Sequence, residues 1–206
     1  MWSKGIYVRK AYVNQMTGTN PPSLIERAES YSQRKLSPKE YEALNHYRAD
    51  WANKAGDCRT RIFVLGSFAD DDVARVNEVK QYINQKSHNG AVAYRMDDFI
   101  KENKLEMNAI MKFKLLADDS DHIITVCEHD EGGQLIEQGI IIDSKEYMKK
   151  SHLLKRAYDS GTEKEQYSWM QSKGVFDMFS DHDCLHEWED TDEFSEVTKR
   201  LVSELV

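Results

Sequence analysis

The chain has 206 residues, 40% of them hydrophobic, which suits one domain with an extension or two small ones. A formal charge of −8 and an isoelectric point near 5.4 exclude a general nucleic-acid coat, which must neutralise phosphates with Lys and Arg. Three widely spaced cysteines, Cys58, Cys127 and Cys184, imply no disulfide framework and no zinc knuckle.

The opening MWSKGIYVRKAYVNQ lacks the apolar core of a signal peptide, and no run reaches the roughly 18 apolar residues of a spanning helix. A protein free in the reducing cytoplasm, away from membranes, is expected. Residues 1–61 carry 11 Lys and Arg against 6 acids, whereas residues 62–206 carry 17 against 30. That shift predicts a boundary, with a helical N-terminal extension over 1–60 and an α/β domain over 61–206.

Within the extension, PPSLIERAESYSQRK and SPKEYEALNHYRADWANK read as two helices. In the second, Ser37 caps, Pro38 fits the first turn and Glu40 completes a capping box. Tyr41, Leu44, Tyr47 and Trp51 recur at helical spacing, as a face that packs on the following domain or meets a partner.

From Arg61 the pattern alternates. RIFVLGSF is a strand, and Val73, Val76, Val79 and Ile83 space out a helix. AVAYRM is a second strand ending at Asp97 and Asp98, and Ile110, Phe113, Leu116 and Ala117 stripe the next helix. HIITVC makes a third strand, followed by a helix from about Gly133. SHLLKRA, EKEQYSWMQSKG and DCLHEW read as strand, helix and strand. Phe194, Val197, Leu201 and Leu205 line a closing helix capped by Asp190 and Glu193. Such alternation predicts a flavodoxin-like, Rossmannoid, mostly parallel five-stranded sheet with helices on both faces.

Ligands of such sheets bind at the carboxyl ends of the strands, near the switch in strand order. The residues there are Gly66, Ser67 and Phe68 after the first strand, Asp97 and Asp98 after the second, and Glu128 to Glu137 after the third. Gly66-Ser67 admits close backbone approach or serves a tight turn, and it is neither a Walker loop nor a dinucleotide fingerprint. Gly132-Gly133 opens a helix whose free amides attract an anion or a sugar oxygen. Glu137 lies one turn later and leans back toward that opening, while Gly139 with Ile140 to Ile142 suggests tight packing of the same helix. A solvated glutamate is the plain alternative.

The run Gly133-Gln-Leu-Ile-Glu137-Gln-Gly139 resembles the Gly-Thr-x-x-Glu-x-Gly signature of the nucleoside 2-deoxyribosyltransferase family. IFVLGSF is similar to that family's opening strand, and LLADDSDHIITVCE to its helix, acidic cap and third strand. The likeness spans roughly residues 61–142. It implies that Glu137 acts at the anomeric carbon of a nucleoside or nucleotide, as nucleophile or as stabiliser of an oxocarbenium-like centre. In the related TIR domains a glutamate in a comparable place cleaves NAD or other nucleotides. The likeness further implies that Glu131, Glu128 or His129 protonates the departing base. Gly66, Ser67, Phe68, Gly132, Gly133 and Gln134 would hold sugar or phosphate, with Asp97 or Asp98 at base or ribose. Gln134 replaces the signature threonine, Ser67 the usual proline and Glu131-Gly132 the usual Asp-Pro. These changes leave two readings: an N-glycosyl hydrolase or transferase, or an inactive nucleotide-sensing module that signals through its N-terminal helices. A small nucleotide or nucleoside is the expected partner, in a homo-oligomer, with no cofactor. A metal is not expected; His182, Cys184 and His186 would share a strand face, but His-x-Cys-x-His lacks the spacing of known zinc sites.

Overall fold

The computed structural model describes residues 22–67, 72–86, 90–99, 107–130 and 132–206. Two helices come first, α1 (Leu24–Ser32) and α2 (Pro38–Ala55). Both start on a complete capping box, Ser23 with Glu26 and Ser37 with Glu40, so the Ser-x-x-Glu spacing sets both helix starts. The remaining order is β1 (Thr60–Leu65), α3 (Asp72–Gln85), β2 (Ala91–Tyr94), α4 (Ala109–Asp119), β3 (His122–Cys127), α5 (Gly132–Asp143), α6 (Lys145–Met148), β4 (Ser151–Arg156), α7 (Ser160–Gln166), α8 (Asp177–Asp181), β5 (Leu185–Trp188) and α9 (Thr191–Leu205). A short 3-10 turn covers Met96–Asp98, and a π-helical stretch covers Gln171–Phe176.

The five strands are all parallel in the order β2-β1-β3-β4-β5, the flavodoxin-like arrangement. The chain steps outward from β1 to β2 and then back across to β3, so helices before and after that reversal cover opposite faces. On one face Phe63, Leu65, Ile123 and Leu153 pack with α4, α5, the π-helical stretch and α8. On the other, Ile62, Val64, Ile124, Val126, Leu154 and Trp188 pack with α3 and α9. Strands buried on both faces explain why β1 and β3 read as unbroken apolar runs.

The first face also takes up the N-terminal helices. Ala28, Leu36, Leu44 and Tyr47 are buried in the same core cluster as the sheet. Trp51 stacks on Phe99 at 5.7 Å and meets Tyr94 edge-on at 5.1 Å, while Tyr41 stays exposed. A polar clasp adds direction to that apolar contact: Arg27 reaches Asp118 at 3.1 Å and Asp119 at 2.9 Å, at the end of α4. Asp119 also accepts from the Tyr47 hydroxyl at 2.9 Å, and Asp118 accepts from the Tyr147 hydroxyl at 2.8 Å and from Tyr31.

One expected helix is divided. EKEQYSWMQSKG is not continuous, because Tyr167 turns inward and donates its hydroxyl to the carbonyls of Cys127 and Arg156. Ser168 then accepts from the Gln171 amide and starts the π-helical stretch. That break lays residues 166–171 beside β3, where the Asp130 amide donates to the Gln166 carbonyl at 2.9 Å. Among the described residues no helix is long and apolar enough to cross a membrane.

Candidate functional site

The carboxyl ends of β1 and β3, at the switch in strand order, carry the residues with the strongest claim to chemistry. After β1, Gly66 faces the body of the protein. A Cβ there would lie 2.5 Å from Val76 Cγ2 and 3.1 Å from the Val126 carbonyl oxygen. Glycine is therefore required so that α3 and β3 can close on this turn. Gly66→Ala is expected to cost about 1–3 kcal/mol in an unfolding titration, the usual penalty of forcing a methyl into a packed site. Ser67, next in the chain, is half-buried. Phe68 lies outside the described residues, as does Glu131.

After β3 the chain enters α5, whose inward face is Gln134, Gln138 and Ile141. Gln134 donates its side-chain amide to the Val126 carbonyl at 2.6 Å, the carbonyl that Gly66 also approaches. The Val126 carbonyl is thus the joint where the β1 turn and the start of α5 meet. Gln138 accepts from Gln171 at 2.7 Å, and Gln171 also donates to the Cys127 sulfur at 3.4 Å, which ties α5 to the π-helical stretch. Burial pushes the Cys127 thiol up to about 12, so it is no nucleophile at neutral pH.

Glu137 sits beside that inward face, part-buried, with no hydrogen bond or ion pair among the described residues. Burial alone pushes its carboxyl up to about 7. Glu137 is the sixth residue of α5, and helical side chains lean toward the start of their helix, here at the carboxyl end of β3. Gly132 is the first residue of α5 and Gly133, exposed, the second.

Gly139 does not serve close packing as expected. It is exposed, and a Cβ there would meet nothing within 4 Å; the same holds for Gly133. Ile141, rather than the glycine, makes the helix contact. Gly139→Ala is expected to raise stability by up to about 1 kcal/mol, since a mid-helix glycine with free space is worse than alanine only by propensity. The same denaturation experiment that shows a loss at Gly66 then shows a gain at Gly139.

Asp97 and Asp98 stand apart, because β2 is an edge strand. Asp97 is held by Arg95, its own turn neighbour, at 2.9 Å. Asp98 receives Lys80 at 2.6 Å and the Arg95 amide at 2.7 Å. Burial opposes its charge, but these partners outweigh it and leave the carboxyl below its ordinary range. Both aspartates are occupied in closing the turn after β2.

Two further groups emerge. Glu128, buried at the end of β3, receives Arg156 Nη1 from β4 at 3.1 Å and faces Arg75 Nε from the first turn of α3 at 3.9 Å. Glu128 is thereby engaged as a counter-ion. The two guanidiniums lie over aromatic rings, Arg75 on Trp188 and Phe194 at 5.6 and 5.3 Å, Arg156 on Tyr158 and Trp188 at 5.0 and 5.4 Å.

The second group replaces the expected His182, Cys184 and His186 face. β5 begins only at Leu185; His182 is exposed and bonds the Met178 carbonyl, and the buried Cys184 thiol donates to Phe179. His186 turns instead to His152 on β4, with Nδ1 and Nε2 3.3 Å apart, and His122 on β3 follows at 6.0 Å between rings. Among the described residues no three His, Cys, Asp or Glu side chains are placed to hold a metal ion.

A family of unknown function, DUF8170, matches residues 25–168, from α1 to the turn after α7. The chain belongs to this family. No curated protein matches the sequence. The matched segment of DUF8170 includes Glu137, Glu128, Arg75 and Arg156 and the N-terminal helices that share the core.

Proposed function

We propose that this member of DUF8170 binds a nucleotide or nucleoside at the carboxyl ends of β1 and β3 and cleaves or transfers its N-glycosidic bond, with Glu137 at the anomeric carbon. The observation that carries this reading is the part-buried carboxyl of Glu137, which has no partner among the described residues and is pushed up to about 7. A carboxyl held this way costs folding energy, and such costs concentrate where chemistry needs the group. Positive charge that builds on the sugar as the base departs draws the group into its ionised form. A part-buried carboxylate is less screened than a fully solvated one, so it stabilises or captures the cation better. In this reading Glu131 protonates the base, since Glu128 is engaged with Arg156.

The test is chromatographic. The protein and its Glu137→Gln variant are incubated with NAD, nucleosides, deoxynucleosides and their monophosphates; base released only by the unmodified protein supports the enzyme.

A nucleotide-sensing module is the second reading, favoured by the internal use of Gly66 and Gln134. Gly66 closes on Val76, and Gln134 gives its amide to Val126, so neither is left to grip a sugar. A nucleotide that raises the melting temperature without being consumed selects this reading.

A further inference from the structure

Arg75 and Arg156 converge on one buried carboxylate and yet use little of their donor capacity. A guanidinium carries five N–H donors. Among the described residues Arg75 makes one hydrogen bond, from Nη2 to Thr191 at 2.9 Å, and Arg156 makes one, from Nη1 to Glu128 at 3.1 Å. The Arg75 contacts to Glu128 and Glu78, at 3.9 and 3.7 Å, are too long for hydrogen bonds. Arg156 Nε is buried with no acceptor among the described residues, and so is the indole Nε1 of Trp188, which is 1% exposed and lies under both guanidiniums. Buried donors without acceptors are costly, so an excess of them in one place calls for an acceptor from outside.

We propose that Arg75 and Arg156 form a binding site for a phosphoryl group, with Glu128 as the resident counter-ion that keeps the two guanidiniums apart and fixed. The hydrogen-bond balance fits an anion, because the two permanent cations face Glu128 and, at 3.7 Å from Arg75, Glu78, and yet among the described residues only Arg156 hydrogen-bonds a carboxylate. The shape fits phosphate over carboxylate: two carboxylate oxygens are satisfied by a single guanidinium fork, whereas a phosphate can engage two forks at once. The rings of Trp188, Phe194 and Tyr158 hold the planar cations in place, which lowers the entropy lost on binding. The location follows from the fold, since β3, β4 and β5 end here and α5, with Glu137, starts within a few residues of Glu128. The site deepens the nucleotide reading only by naming what holds the phosphate; binding of a phosphoryl group stands without any bond cleavage.

The experiment is calorimetric titration of the full chain with inorganic phosphate, adenosine 5′-monophosphate and adenosine. Phosphate and the monophosphate are expected to bind, more weakly as salt rises, and adenosine much more weakly than its monophosphate. Tighter binding of the monophosphate than of phosphate identifies a nucleotide as the source; equal binding identifies free phosphate. Arg156→Gln is expected to weaken phosphate binding about tenfold or more, the factor carried by one charge-assisted hydrogen bond. Because that variant leaves a buried carboxylate uncompensated and can fail to fold, the Arg156→Gln/Glu128→Gln pair keeps the measurement possible. Glu128→Gln alone frees donors and removes a repelling charge, so it is expected to tighten phosphate binding several-fold. No phosphate binding by either the original chain or Glu128→Gln overturns the site, as does equal binding in the arginine variants. Glu137-dependent base release without phosphate binding overturns this site and leaves the glycosidic reading intact. Phosphate binding without base release does the reverse.

Discussion

Glu137→Gln is expected to abolish base release and, in the same molecule, to raise stability at alkaline pH. The two effects have one cause. A free glutamate titrates near 4.5, whereas burial holds the folded Glu137 at about 7. Between those values the folded state binds the proton more tightly than the unfolded state does. Stability from this group is therefore complete below about 4.5 and is lost as pH rises through about 7. The loss is on the order of 1–3 kcal/mol, reduced from the full linkage value because the side chain is only part-buried. Glutamine keeps the shape and cannot ionise, so melting curves of the variant should lie above those of the original chain at pH 8 and converge with them near pH 4.5. A variant that gains alkaline stability but keeps full base release sinks the catalytic role and leaves the electrostatics standing. A variant that loses activity without any stability gain shows that Glu137 has a partner when it works, for example a donor from Glu131 or its neighbours.

Much of this architecture was legible in the chain, and the reasons are physical. The strands of a parallel sheet covered on both faces are apolar throughout, so β1 and β3 stand out as RIFVL and HIITVC. Both N-terminal helices announce themselves through Ser-x-x-Glu. Glycine was harder, because one letter serves opposite purposes: Gly66 is there to let Val76 in, while Gly139 faces open space. Tyr167 broke an expected helix because two carbonyls, of Cys127 and Arg156, compete for its hydroxyl, and they lie 40 and 11 residues from it in sequence, on two different strands. Arg75, Glu128 and Arg156 come from α3, the end of β3 and β4, and only the strand order brings them together. Arg156 in particular belongs in sequence to the basic stretch YMKKSHLLKR, which fits a solvated face or the attraction of phosphate and points to no one partner. The histidines carried a signal that a strand-by-strand reading passes over: β3, β4 and β5 each place one at the first or second position.

Those three histidines should cost the protein stability as pH falls from about 6.5 toward about 4, a loss set against the gain from Glu137 over the same window. His122, His152 and His186 stand two residues before Ile124, Leu154 and Trp188, so they lie on the same sheet face, the one that α9 covers. Burial lowers all three, and His152 falls furthest, to about 4, because the neighbouring His186 and His122 add like charge to the desolvation. The charges around them do not compensate. Asp121 favours protonation of His122 while Lys150 opposes it, and Glu204 favours protonation of His186 while Arg200 opposes it. A histidine with a depressed folded value keeps its full contribution above about 6.5 and loses it as pH falls toward about 4, since the unfolded chain takes up the proton first. For His152 alone this amounts to on the order of 2–3 kcal/mol. A paired carboxylate acts lower: Glu40, brought down to about 2 by Arg34 and the Ser37 cap, sheds its contribution only below about 4.5. His152→Asn, which can still bond His186 but cannot ionise, is therefore expected to flatten the melting curve between pH 6.5 and 4.5 and to leave the steeper fall below 4.5 in place. An unchanged profile in that window would mean that the imidazoles take up protons without cost, through an anion or water that shares the ladder with them.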